Sequence, residues 1–249
     1  MLYANTTLGG LSTQINRRRD GSADTDSSAT APDYAKSYHK LVETLDGKYQ
    51  TSDPSTLTPD IGATVFLTGA TGFLGAFLVK EILDRPKTKI IAHVRGAKDL
   101  AFAKDRLKRS LTAYGLWQDA WVDRISCVLG DLSKPRLGLD DASWKSISET
   151  ADIICHNGAS VHWLHDHQQL LRPNVLSTID ALKLCNEGKA KLFSFVSSTS
   201  TLDTEHYVSL SSQQGAIMEE DSLEGSRVGL GTGYGQTKWV CEAFVPVLI

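Results

Sequence analysis

The sequence predicts an α/β protein built on a doubly wound parallel sheet. Apolar runs of strand length recur from Ala63 onward, helical stretches separate them, and a glycine-spaced turn follows the first run. The 249 residues, 41% of them hydrophobic, suffice for one well-buried domain and leave little room for a second. With 26 Lys and Arg against 29 Asp and Glu the formal charge is −3, so no basic field marks a nucleic-acid binder. Cys127, Cys155, Cys185 and Cys241 form no C-x-x-C pair, which argues against a zinc site or a disulfide framework and fits a reducing compartment. No apolar run reaches the ~20 residues of a membrane span, and the N-terminus lacks a signal-peptide pattern. The expectation is a soluble, cytoplasmic protein with no membrane or nucleic-acid partner.

The elements follow in order. TTLGGLSTQINRRR predicts a short amphipathic helix through Leu8, Leu11 and Ile15, with Arg17, Arg18 and Arg19 as its solvated end. Residues 19–60 are expected to be linker: 20–35 are small and polar, a second short helix spans Tyr34 to Leu45, and 51–60 are rich in Pro, Asp, Ser and Thr. Residues 61–249 make the domain. ATVFLTG is a strand and FLGAFLVKEILDRP a helix stopped near Pro86. KIIAHVRG is the second strand and AKDLAFAKDRLKRSLTAYG the second helix. RISCVLGDLS, ADIICHNGA and KLFSFVSS give three more strands, with helices around Trp144–Thr150 and Val175–Cys185. Fully apolar strands alternating with helices imply a parallel sheet covered on both faces, with right-handed crossovers. Five strands precede a last helix, Gly235 to Val245, where such folds commonly have six or more, so the domain is expected to be incomplete at its C-terminal end.

The chemistry begins at the first turn. Gly69, Gly72 and Gly75 stand at G-x-x-G-x-x-G spacing between a strand and a helix. Gly69 permits the tight turn, Gly72 lets backbone approach a pyrophosphate, and Gly75 lets the helix pack on the strand, while the helix N-terminus offers free N–H groups. The second strand ends in Arg95, 20 residues after Gly75, where an acidic residue would bind the NAD ribose. A guanidinium there suits a 2′-phosphate, with Arg106 as a second contact, so NADP(H) is the expected cofactor. Asp131-Leu132 closes the third strand, where a carboxylate can meet an adenine amino group. Asn157-Gly158-Ala159 closes the fourth, where small residues let a cofactor lie flat.

Tyr234 and Lys238 are four residues apart, which places a phenol and an ammonium on one helical face. The cation is expected to lower the phenol pKa and so ready it to hand a proton to a carbonyl oxygen. Ser197-Ser198-Thr199 ends the fifth strand and can supply a hydroxyl to the same oxygen. Ser198 is favoured and Thr199 competes.

Together GATGFLG, the NGA turn, VSSTS and YGQTK resemble an extended short-chain dehydrogenase/reductase with a Rossmann fold. More narrowly, VFLTGATGFLG, HVRGAKD, HNGASVHW, FVSSTSTLDTEHY and LEGSRVGLGTGYGQTKW resemble the thioester reductase domains of fungal L-2-aminoadipate reductases over roughly 63–245, and residues 1–18 resemble the last helix of a preceding carrier domain. The resemblance implies NADPH-dependent release of a carrier-bound 2-aminoadipyl thioester as the semialdehyde, in lysine biosynthesis, with adenylation and carrier domains as partners in cis. It gives Thr71, Gly72, Phe73 and Leu74 to the phosphate loop and Arg95 and Arg106 to the 2′-phosphate. It places Asp131, Leu132, Asn157 and Ala159 along the cofactor, and Ser198, Tyr234 and Lys238 at the carbonyl. The stretch LHDHQQLLRP departs from the family's pattern.

His156, His162, His165 and His167 crowd one region, but their spacing does not converge and no thiolate joins them, so no metal is expected. Trp117 and Trp121, four apart, are expected on one packed helix edge. Two rivals stay open: an extended reductase or epimerase acting on a free small substrate, and a non-catalytic NADP-binding module.

Overall fold

The computed structural model describes residues 34–45, 49, 51–58 and 61–248. The helix expected around Leu8 to Arg19 and the first part of the linker lie outside them. Inside the expected linker, helix α1 (Tyr34–Val42) buries Tyr34 and Ala35 in an apolar cluster with the last helix. Thr51 then bridges to Lys191 beside the sheet. Residues upstream of 61 therefore belong in part to the packed domain. Two tyrosine rings give this short helix the surface to dock, which its polar neighbours conceal in the sequence.

Five parallel strands follow: β1 (Thr64–Thr68), β2 (Lys89–Arg95), β3 (Ile125–Gly130), β4 (Ile153–His156) and β5 (Leu192–Phe195). Their order is β3-β2-β1-β4-β5, so the sheet grows outward from β1 in both directions. Phe66 pairs in register with Ile91 on one side and Ile154 on the other. Side chains alternate faces along each strand. Val65 and Leu67 join the core under α2 (Phe73–Leu83) and α3 (Leu100–Ala113), whereas Phe66 joins the core under α4 (Asp141–Thr150) and α6 (Ser177–Asn186). Covering both faces is what permits strands as apolar as these.

Local chemistry sets the helix ends. Asp99 and Asp140 cap α3 and α4 by accepting from Phe102 and Ser143 backbone N–H groups. Between β4 and α6 lie the one-turn helix α5 (His167–Leu170) and a π-helical turn, Leu171–Leu176, containing Pro173. Helix α7 (Glu205–Gln214) precedes α8 (Gly233–Leu248), the last element.

Trp117 and Trp121 do not share a helix. Helix α3 ends at Ala113, and the chain turns at Gly115 with φ of 67°. Trp121 then sits buried in a 3₁₀ turn and Trp117 packs at the margin of the same core. Helix α7 was hidden for the opposite reason: its three serines dilute any apolar stripe, and Tyr207 is the residue it buries.

A close backbone contact joins α2 to the turn after β1. A Cβ at Gly75 would stand 2.0 Å from the Gly69 carbonyl oxygen and 2.9 Å from Ala70 Cα. Gly75→Ala is therefore expected to destabilise the chain by about 1–3 kcal/mol. Urea unfolding should show a lower midpoint at unchanged slope, and a wild-type midpoint would mean the helix can slide off the strand freely.

Candidate active site

Every strand ends at one cleft. It encloses roughly 430 Å³ along the C-terminal edge of the sheet, from the glycine turn after β1 to Tyr234 and Lys238 on α8. This is the edge where open α/β sheets bind ligands, and the order of strands reverses between β1 and β4 at its centre.

At that centre the Thr68 hydroxyl accepts from Gly158 N at 2.8 Å and lies 3.1 Å from His156 Nδ1. The Asn157 amide donates to the Thr68 and Gly69 carbonyls, each at 3.3 Å. These bonds tie the turns after β1 and β4 together. Gly158 packs closely here: a Cβ would stand 3.1 Å from Gly69 N and Thr68 Oγ1 and would push the Leu132 side chain aside at 2.9 Å. Gly69 takes φ of 70°, and Gly72 starts α2 without any side-chain cap. The first N–H groups of α2 thus stay free at the cleft, with the positive end of the helix dipole behind them.

Gly69, Thr71, Gly72, Leu74 and Gly75 line this end. Phe73 does not: it is 67% exposed and its ring packs against Phe77 and Tyr114 at 5.2 and 5.6 Å. Only its backbone N–H belongs to the loop. Arg95, exposed at the end of β2, and Arg106 of α3 line the cleft together, and Arg106 Nη1 donates to the Arg95 carbonyl at 2.5 Å. Asp131 also lines it. Burial pushes that carboxyl up, but the Ser133 hydrogen bonds and the charges of Arg95 and Lys134 outweigh this and hold it below its ordinary value. Leu132, Asn157 and Ala159 complete the middle of the wall.

At the far end Tyr234 is half-buried and Lys238 is buried. Burial raises the Tyr234 phenol, and a hydrogen bond with Ser198 opposes the rise. The lowering expected from Lys238 does not prevail. Its Nζ donates to the Val196 carbonyl and lies 4.5 Å from the Phe195 ring centre but 6.0 Å from that of Tyr234. Burial in turn lowers Lys238, against the charges of Cys241 and Glu242. Of the two competing hydroxyls, Ser198 is the one that acts on the Tyr234 phenol, although its Oγ lies 3.2 and 3.1 Å from Ser200 N and Oγ. Thr199 starts a 3₁₀ turn and faces an adjoining cavity of roughly 370 Å³, which Ser198 also lines. The chemistry available is proton delivery from a protonated phenol, beside a cradle for an extended anionic group with two guanidinium groups near one end.

Residues 67–247 match the family of NAD-binding domains described as "Male sterility protein". The chain belongs to this family. Among individual relatives it is 47% identical over 226 residues to the L-2-aminoadipate reductase large subunit of Penicillium chrysogenum, covering 87% of this chain and 16% of that protein. It is 44% identical over 225 residues to the L-2-aminoadipate reductase of Saccharomyces cerevisiae, again 16% of that protein. The solved terminal R domain from the myxalamid PKS-NRPS biosynthetic pathway superposes with a TM-score of 0.71 at 33% identity, over 87% of this chain and 53% of that one. This NAD-binding family accounts for the glycine turn and for the doubly wound sheet that carries it.

Sequence reasoning missed several wall residues, among them His93, Ser133, Ser160, Val161 and Pro173. It also missed Asn174, which is 2% exposed. Asn174 accepts from Ser160 N at 2.7 Å and donates to the Ser160 carbonyl at 3.1 Å and to Thr237 Oγ1 at 3.0 Å. It therefore joins the loop after β4 to α8 beside Lys238. A signal existed: Pro173 inside a helical run forces an irregular turn, and π-type turns gather at functional sites. Of the four clustered histidines, His162 and His165 stack on each other at 3.6 Å while His167 is buried near Tyr34. Among the described residues no group of three or more His, Cys, Asp or Glu could hold a metal ion, and no helix is long and apolar enough to cross a membrane.

His156 gives a pH prediction. Burial, then the charges of Lys238 and His93, push its pKa down from 6.5 to about 3. The unfolded chain takes up a proton near pH 6.5 that the folded chain refuses, so stability present above 6.5 is lost as pH falls toward 3. Each pH unit below 6.5 should remove up to about 1.4 kcal/mol. Denaturant midpoints from pH 7 to 5 should fall less steeply in His156→Gln, and an unaltered slope would assign the acid sensitivity elsewhere.

Proposed function

We propose that this chain is the NADPH-binding part of a thioester reductase that converts a 2-aminoadipyl group, carried on a phosphopantetheine arm, to the semialdehyde in lysine biosynthesis. One observation carries the reading: the Tyr234 phenol and Lys238 line the same cleft as the glycine turn and the Arg95–Arg106 pair. The names of the aminoadipate reductase relatives support the acyl group. The chain spans 16% of their length, and adenylation and carrier domains in cis, in the cytoplasm, are part of the proposal.

The residues fit a dinucleotide. The N–H groups of the Gly72–Gly75 turn would hold its pyrophosphate, Arg95 and Arg106 a 2′-phosphate, Asp131 the adenine amino group, and Asn157 and Ala159 the stretch toward the nicotinamide. Once bound, the reduced cofactor supplies hydride to the thioester carbonyl carbon. Tyr234 gives its proton to the carbonyl oxygen as that oxygen gains charge, and a raised phenol pKa ensures the proton is present at neutral pH. Ser198 holds the phenol and the substrate oxygen in one hydrogen-bonded line. Lys238 contributes a fixed positive charge on the same face. The hemithioacetal then breaks its C–S bond, releasing aldehyde and the carrier thiol.

Calorimetric titration should show NADPH binding well ahead of NADH. Arg95→Ala should weaken NADPH about tenfold or more, about 1.4 kcal/mol, and leave NADH unchanged. Equal loss for both cofactors would remove Arg95 from the 2′-phosphate. Tyr234→Phe should retain NADPH affinity while turnover of a pantetheine thioester drops by about 100-fold or more. Full residual turnover would dismiss Tyr234 as the proton donor, and turnover of a free nucleotide sugar instead would point to an epimerase.

A further inference from the structure

Helix α3 grips two turns of the cleft at once. Arg106 Nη1 donates to the Arg95 carbonyl at the end of β2, and one helical turn further on the Ser110 hydroxyl donates to the Thr71 carbonyl at 3.0 Å. Arg106 and Ser110 are four residues apart and so share one stripe of α3. The neighbouring stripe, Ala103, Leu107 and Leu111, is buried in the core with Val65 and Leu67 and seats the helix on the sheet. Thr71 lies inside the glycine turn, between Gly69 and Gly72. The geometry points to Ser110 as a positioning residue that locks this turn from the α3 side and so aims its free N–H groups at a pyrophosphate. This rests on the cleft being a dinucleotide site.

The turn needs such a lock because its own backbone is loose. Gly69 and Gly72 give it two positions of wide conformational freedom within four residues. A Ser, Thr or Asp at the start of α2 would fix the entry with its side chain, but would also occupy one of the N–H groups. Gly72 makes no such bond and leaves the entry unsecured. Gly72 N donates to the Gly69 carbonyl and Ala76 N to the Gly72 carbonyl, each at 3.0 Å. The N–H groups of Phe73, Leu74 and Gly75 lie between these bonds, where a helix offers no acceptor of its own. On the β4 side Asn157 holds the turn at the Gly69 carbonyl. Ser110 supplies the opposite hold, at the peptide directly before Gly72. Two anchors on different carbonyls stop a rotation that either alone would permit. Ser110 is half-buried and does not line the cleft, so it acts through the Thr71 carbonyl and not on a ligand.

Ser110→Ala removes the hydroxyl and improves helix propensity, so α3 should stay folded. In the ¹⁵N-labelled full chain without ligand, backbone order parameters over Gly72 to Gly75 should fall from about 0.85 toward about 0.6 in Ser110→Ala. Ser110→Thr keeps the donor and should stay near wild type. Two probes then separate the ends of the cleft: ADP carries a pyrophosphate and no 2′-phosphate, and adenosine 2′-monophosphate the reverse. Ser110→Ala should weaken ADP about three- to tenfold, the size of one lost neutral hydrogen bond, and change adenosine 2′-monophosphate by less than about twofold. Unchanged order parameters or an unchanged ADP affinity in Ser110→Ala would overturn the inference, and so would a Ser110→Thr turn as mobile as that of Ser110→Ala. An equal loss of both probes would overturn it too, by making Ser110 a general support of α3. A wild-type chain that binds neither probe would count against the dinucleotide reading, while the order parameters, which need no ligand, would still decide whether Ser110 holds the turn.

Discussion

The site hangs on a buried hydroxyl. Thr68, at the last position of the central strand, serves the loop after β4 through Gly158 N and His156 at once, and Asn157 returns the contact through the Thr68 and Gly69 carbonyls. Strand order reverses between these two strands, so their loops diverge and open the cleft. Divergence alone would leave two mobile loops with unsatisfied backbone. The clasp supplies partners for those groups and fixes the glycine turn against the cofactor wall. The imidazole in it is neutral, because burial and then the charges of Lys238 and His93 hold His156 far below its ordinary pKa.

Burial governs the Tyr234–Lys238 end of the cleft in the same way. Removing Lys238 from water costs free energy that the Val196 carbonyl and the Phe195 ring face offset. An ammonium so engaged does less to stabilise a phenolate beside it. Tyr234 consequently keeps its proton, and only the Ser198 bond works against this. The arrangement favours a donor over a base. Reduction of a carbonyl compound calls for that polarity, since the oxygen gains charge as hydride arrives.

The strands and the glycine turn were legible because their signals are local: continuous apolar runs, punctuating glycines and a helix directly after. Arg95 was placed by counting along one such unit, and Tyr234 with Lys238 by helical periodicity. The missed features are tertiary. Nothing next to Asn174 in the chain announces that Ser160 and Thr237 will flank it. Phe73 carries the right position but the wrong surface, since a helix's first residue gives the loop its N–H while its side chain leaves with the outer face. Helix α1 was legible as a helix but not as part of the packed domain, because two aromatic rings, spaced four apart, outweigh a polar neighbourhood only when a partner helix is there to receive them.

That partner is α8, and its packing explains how a long helix with several polar residues stays in place. Its inward stripe carries Tyr234, Lys238 and Glu242. Trp239 and Phe244, on other faces, meet Tyr34 at 5.3 Å and Tyr38 at 5.4 Å between ring centres, and the Trp239 indole N–H donates to the Leu223 carbonyl at 2.9 Å. Thr237 accepts from Asn174. The helix is thus gripped on three sides within two turns. Each grip orders groups that would otherwise cost entropy to bring together at the moment of reaction, so rigidity is settled during folding. The polar stripe can then face a cleft without dragging the helix toward solvent, because the aromatic contacts behind it are apolar, extensive and independent of what the cleft contains.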